Sequence, residues 1–150
     1  MALKQAKEKG KNCYHIFDEG AESIDHAQRE SFIEANRMLR SAIIQDRVVP
    51  YFQGVHNNNT GEISKFEVLV RIEESDNIIA PYRFLEPARL SGLLPEITKI
   101  MVDKSFKVMA KNNNHFSINI TEDDLNKNYL VNYFEKKLAQ YNIAPQRVIL

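Results

Sequence analysis

The chain has 150 residues, 43% hydrophobic and 27% charged, with 20 acidic residues balancing 20 basic ones. That fits a soluble globular chain with one core and excludes bulk charge as a means of gathering nucleic acid polymers or anionic lipid. The single cysteine, Cys13, can form no internal disulfide and gives no metal-ligand spacing, which fits a reducing, cytoplasmic compartment. No apolar run approaches the roughly 20 residues that span a bilayer, and the basic start MALKQAKEKGKN lacks the apolar stretch of a signal peptide.

In chain order, residues 2–9 (ALKQAKEK) are helix formers stopped by Gly10, and CYHIF at 13–17 reads as a short strand. From Glu22 to Gln45 the chain has neither Gly nor Pro, and Phe32, Ala35, Leu39 and Ala42 recur at 3-4-3 spacing. This predicts one long amphipathic helix, about 36 Å at roughly 1.5 Å per residue. It can pack on its own domain or pair in parallel with a second copy, and both readings stand. VVPYFQGV, the polar HNNNTGE and ISKFEVLVRI predict an antiparallel hairpin. PYRFLEPARLSG and LPEITKIMVDKSFKVMAKN follow as a short and a long helix, the second with Ile97, Ile100, Met101, Phe106 and Met109 on one stripe. HFSINIT (115–121) reads as a strand and TEDDLNKNYLVNYFEKKLAQY as one helix capped by Thr121. QRVIL (146–150) is a further strand. Helices alternating with strands predict an α/β fold with a parallel sheet beyond the hairpin.

Successive strand residues point to opposite faces. Phe66, Val68, Val70 and Ile72 therefore share one face, and Glu67, Leu69 and Arg71 the other. Phe116, Ile118 and Ile120 alternate in the same way against Ser117, Asn119 and Thr121, and Val49, Tyr51 and Gln53 against Pro50 and Phe52. If the three strands are neighbours, Gln53, Glu67, Arg71 and Asn119 converge on one surface. That surface is either a solvated sheet face or the interior of a barrel near its mouth, where catalytic groups gather. Glu67 and Arg71 lie about 13 Å apart at roughly 3.3 Å per residue, too far for mutual neutralisation. His56 and His115 sit at strand edges and read as solvated. Asp123 and Asp124 fall in a first helical turn, where acids favour the positive end of the helix dipole.

The order YFQGV, TGEISKFEVLVR, IIAPYRFLEPARLSGLL, FSINIT, QRVIL resembles the front half of an EAL domain, the cyclic di-GMP phosphodiesterase family named for a Glu-Ala-Leu strand. Here that strand reads Glu67, Val68, Leu69. Departures are Gly54, where a proline often follows the Gln, Ile72, where an aromatic is common, and Arg89, where an acid is usual. ALKQAKEKGKNCYHIFD (2–18) resembles the last helix and strand of a GGDEF domain, the diguanylate cyclase family. The two resemblances imply the expected organisation: 1–20 a GGDEF tail, 21–46 a connector helix, and 47–150 about half of an EAL-type (β/α)8 barrel. The chain is then expected to be a fragment of a tandem GGDEF-EAL protein that is membrane-anchored, if at all, elsewhere in its length.

The resemblance further implies hydrolysis of cyclic di-GMP to linear pGpG with two divalent cations, Mg²⁺ or Mn²⁺. Glu67 and Asn119 would be metal ligands, Arg71 would grip a substrate phosphate, and Gln53 and Leu69 would line the nucleotide pocket. The remaining ligands and the water-positioning residues are expected past Leu150, so that the chain by itself would be inactive. A homodimer through the connector helix or the EAL domain is expected in the parent. The alternative is a module that binds cyclic di-GMP for signalling without turning it over; retention of Glu67 and Asn119 favours the enzyme.

Overall fold

The computed structural model describes residues 19–126 and 129–150. The segments read as an N-terminal helix and strand (2–9 and 13–17), with Cys13, lie outside the described residues. The chain divides into two compact units, Met1–Glu34 and Ala35–Leu150. Helix α1 (Glu19–Ile44) runs through the division. In the second unit its C-terminal turns place Leu39 and Ala42 at 0% exposure in the hydrophobic core. Those two positions are half of the expected self-association seam. Their burial favours packing of this stripe on its own domain, and a parallel pairing with a second copy would have to use the less buried Phe32 and Ala35. Burying a leucine side chain is worth about 2 kcal/mol, and the core has claimed it.

Strands β1 (Val48–His56) and β2 (Ile63–Glu74) form the expected antiparallel hairpin. The turn closes through the N–H of Asn57 on the carbonyl of Glu62 at 2.8 Å, and Gly61 takes a φ of 72° that only glycine adopts without strain. A short strand β3 (Asn77–Ile79) then folds back on Ile72–Glu74, an element the sequence reading lacks. Its two-residue turn, Ser75-Asp76, carries no glycine, and Ser75 takes the positive φ of 30° itself.

A 3₁₀ turn (Pro81–Arg83) and helix α2 (Leu85–Leu90) lead to helix α3 (Leu94–Met109). Gly92 ends α2 at a φ of 70°, and the N–H of Leu93 reaches back to the carbonyl of Ala88 at 2.8 Å. Strand β4 (His115–Ile118) pairs in parallel with Lys65–Val68 of β2, and β5 (Val148–Ile149) in parallel with β4. The result is an open five-stranded sheet in the order β1-β2-β4-β5, with β3 also on β2. The fold is thus mixed α/β with an open sheet.

One edge of β2 is taken by β1 from Ile63 to Ile72. The other is shared by β4 low down and β3 high up, with Leu69, Val70 and Arg71 between them.

The single helix expected from Thr121 onward is two helices, α4 (Glu122–Leu125) and α5 (Leu130–Tyr141). Asparagine is a poor helix former, and Asn126 marks the end of the first. Strand β4 also stops at Ile118, three residues short of the expected end, leaving Asn119 beyond the ladder. The helices pack on the face formed by Val48, Val68, Ile72, Phe116 and Ile118, all buried. Phe106 of α3 ties this layer together, edge-on to Phe116 at 5.6 Å and to Phe134 of α5 at 5.8 Å. Arg147 bonds the carbonyls of Met109 and Asn114 at 2.8 and 3.0 Å, joining the end of α3 to the approach to β5.

Candidate functional site

Register fixes what the opposite face presents. Gln53 stands across from Glu67 and Glu67 across from Ser117, while Tyr51 pairs with Leu69 and Val49 with Arg71. Because side chains alternate, Gln53, Glu67, Leu69 and Arg71 all project from the face away from the helices. Asn119 joins them from beyond the end of β4. Its Nδ2 donates to Glu67 Oε1 at 3.2 Å, a contact between residues 52 apart in the chain. The structure therefore puts all five side chains the sequence singled out on one side of the sheet, with Glu67 and Asn119 in direct contact. Glu67, Leu69 and Arg71 are half-buried, and Gln53 and Asn119 exposed.

Neither Glu67 nor Arg71 takes part in an ion pair among the described residues, so the two charges do not neutralise one another. The Arg71 guanidinium donates through Nη1 to the backbone carbonyl of Val70 at 2.8 Å. That is a neutral acceptor, which a phosphate outbids through charge-assisted bonds. On the helix side of the sheet lies a cavity of about 280 Å³, walled by Val68, Ile118, Ile97 and Met101 and reached by Leu69 and Asn119, with none of Gln53, Glu67 and Arg71 in its lining. Burial, and then the nearby Glu73 carboxylate, push the Tyr51 phenol above its ordinary range, and its hydroxyl donates to Glu73 at 3.3 Å.

The donors suit a hard cation in kind. Oxygen ligands around an octahedral Mg²⁺ at about 2.1 Å lie roughly 3 Å apart, and the Glu67 and Asn119 termini already stand at 3.2 Å. A half-turn of the Asn119 amide replaces its N–H by the carbonyl oxygen, and the two orientations have nearly the same shape. This pair can thus supply two of six oxygen positions. Among the described residues no group of three or more His, Cys, Asp or Glu is placed to hold a metal. His56 is exposed, with Nδ1 3.0 Å from the Gly61 carbonyl, and His115 is exposed at the start of β4, as solvated histidines should be.

Tyr51 and Ser117 share the open face but carried no role in the sequence reading; the period-2 alternation that placed Gln53 also places them. Asp124 is more than a dipole-favoured acid. It is fully buried, and its Oδ2 accepts from Thr98 Oγ1 at 2.9 Å and from the backbone N–H and hydroxyl of Thr121 at 2.9 and 2.7 Å. Its Oδ1 accepts from the Tyr129 hydroxyl at 2.5 Å. Burial is the largest single influence on this carboxyl and pushes it up, but the bonds from Tyr129, Thr121 and Thr98 together hold it below the usual range.

The sequence profile of the EAL domain matches residues 36–150. The chain belongs to the EAL domain family. Its match to the cyclic di-GMP phosphodiesterase PdeB of Shewanella oneidensis is 30% identical over 155 residues, covering 99% of this chain and 18% of that protein. A second relative, the biofilm architecture maintenance protein MbaA of Vibrio cholerae, is 26% identical over 96% of this chain and 19% of its own length. The chain thus spans about a fifth of these relatives. Among solved structures, the PaMucR phosphodiesterase in complex with c-di-GMP superposes with a TM-score of 0.73 at 22% identity, over 78% of this chain and 50% of that one. The EAL enzyme Bd1971 in its cAMP-bound form superposes at 0.76 and 14% identity, over 97% and 44%. These likenesses show an EAL fold over part of its length. The family match begins after the segment that resembles a GGDEF domain. Among the described residues no helix is long and apolar enough to cross a membrane.

Proposed function

We propose that this chain supplies the front strands of a cyclic di-GMP phosphodiesterase site, which opens the cyclic dinucleotide to linear pGpG. Its open sheet is read as the first part of a (β/α)8 barrel, and residues 2–18 as the tail of a GGDEF domain. The observation that carries the reading is the contact between Glu67 of β2 and Asn119 just past the end of β4, two oxygen-bearing side chains meeting on the face of the sheet opposite its buried side. The 30% identity to a named cyclic di-GMP phosphodiesterase supports the same substrate.

In this reading Glu67 and Asn119 would hold one Mg²⁺ or Mn²⁺, a Lewis acid that would supply water activation and charge compensation at the phosphoryl group. Glu67 brings the negative charge and Asn119 a neutral oxygen once its amide has turned. Arg71 releases the Val70 carbonyl and takes a phosphate in its planar fork. Gln53, level with Glu67, and Leu69, two pairs further up, line the nucleotide. Two donors do not fix two cations and an attacking water, so the 150-residue chain is expected to bind without turnover.

The test is nuclear magnetic resonance of the chain titrated with Mn²⁺ and cyclic di-GMP, with chromatography for pGpG. Mn²⁺ should broaden the signals of Gln53, Glu67 and Asn119, and Glu67→Gln should abolish that broadening while the remaining spectrum is preserved. Equal broadening in Glu67→Gln overturns the ligand assignment. Metal-dependent pGpG production by the chain overturns the claim that further ligands are required, and nucleotide binding indifferent to metal favours a signalling module.

A further inference from the structure

We infer that Asp124 is a positioning residue for the site: it holds Asn119 beside Glu67 by anchoring Thr121, with Thr98 of α3 as the fixed point. The inference rests on the reading of Asn119 as a ligand. The ladder between β2 and β4 ends at the pair Val68 and Ile118, so the sheet does not fix Asn119. Two residues further on, Thr121 is held twice by Asp124, through its backbone N–H at 2.9 Å and its hydroxyl at 2.7 Å. Asn119 therefore sits on a short span clamped at Ile118 by the sheet and at Thr121 by a carboxylate.

Capping α4 does not account for that carboxylate. A capping box uses only the reciprocal bonds between Thr121 and Asp124, and an exposed acid serves it equally well. Here the acid is fully buried, and two further donors reach it from other elements, Thr98 on α3 and Tyr129 at the start of α5. A buried charge is costly unless its lone pairs are satisfied, and these are satisfied by groups that lock the β4 end to the helix layer. Thr98 and Thr121 also line the cavity that Asn119 reaches. Outer partners bonded directly to a ligand typically change metal affinity by about 10- to 100-fold, and a latch two residues from Asn119 is expected at the lower end of that range.

The experiment compares Thr98→Val, which removes one donor at constant shape, with Thr98→Ser, which retains it, and adds Asp124→Asn where that variant folds. Two readouts are taken on the full chain: hydrogen exchange of the Thr121 amide, and Mn²⁺ affinity from broadening at Glu67. Thr98→Val should exchange Thr121 about tenfold faster or more and bind Mn²⁺ at least about tenfold more weakly, and Thr98→Ser should restore both. A Thr98→Val chain of lower stability but unchanged Mn²⁺ affinity overturns the inference and leaves Asp124 a structural group. If the parent chain shows no Mn²⁺ broadening at Glu67, the proposed site fails. Thr121 exchange then decides the latch by itself, since equal rates in all variants overturn it.

Discussion

Replacing Tyr129 by Phe removes one hydroxyl and leaves the ring, including the Lys99 ammonium 4.6 Å from its centroid. What is lost is the 2.5 Å bond to Asp124 Oδ1, while Oδ2 keeps its three donors. A hydrogen bond to a charged group is worth about 1.5–3 kcal/mol, and because Tyr129 is only half-buried the lower part of that range, about 1.5–2 kcal/mol, applies. The difference should also depend on pH in a defined sense. Asp124 has a folded pKa below its unfolded value near 3.9, so its contribution is present above about pH 4 and fades as pH falls through the folded value. Tyr129 is shifted the opposite way, chiefly by burial and then by the Asp124 carboxylate. Its contribution is complete below the unfolded value near 10 and declines above it, by at most about 1.4 kcal/mol per pH unit. Urea unfolding followed by circular dichroism should therefore show Tyr129→Phe less stable by a constant amount between about pH 5 and 9, with the gap narrowing on both sides. A gap under about 0.5 kcal/mol at pH 7, or one that does not narrow above pH 10, refutes this account of Asp124.

Leu39→Ala should destabilise the chain by about 2–5 kcal/mol in the same urea assay without changing its sedimentation, because Leu39 is fully buried within its own unit. Phe106→Ala should cost about 3–5 kcal/mol, since it empties the junction between Phe116 and Phe134; a cost below about 1.5 kcal/mol would show that this junction collapses easily. Arg71→Lys should leave unfolding unchanged within about 0.5 kcal/mol yet weaken cyclic di-GMP binding by calorimetry, because an ammonium cannot make the paired bonds of a guanidinium.

The elements with strict period were legible from the residues. Alternation from Phe66 to Ile72 gave the buried and open faces of β2, and the stripe from Ile97 to Met109 gave α3. The common face of the candidate site was legible for the same reason: the face rule that sends Val68 inward sends Glu67 and Leu69 outward. What escaped depends on contacts distant in sequence. The burial of Leu39 and Ala42 follows from which face of α1 meets the core, and a 3-4-3 spacing reads alike for a core stripe and for a dimer seam. The break after Leu125 is tied to Asp124 bonding forward to Tyr129 and back to Thr121 and Thr98, and no local propensity encodes that arrangement. Strand β3 is three residues long and lacks a turn glycine, so it had no pattern to show.

A strand in the middle of a sheet is ordinarily its most slowly exchanging part, since both edges are sealed. Strand β2 is different, because β4 and β3 divide one of its edges and part company over Leu69, Val70 and Arg71. Backbone groups facing that fork have no ladder partner, and for the Val70 carbonyl the substitute is the guanidinium of Arg71. The side chain proposed to grip phosphate thus also plugs a gap in the sheet, and drawing it toward an anion hands the carbonyl to water. On that proposal, ligand capture and local wetting of β2 are two ends of one exchange. The proton-deuterium rates of residues 69–71 therefore form an internal gauge of occupancy at the centre of the fold.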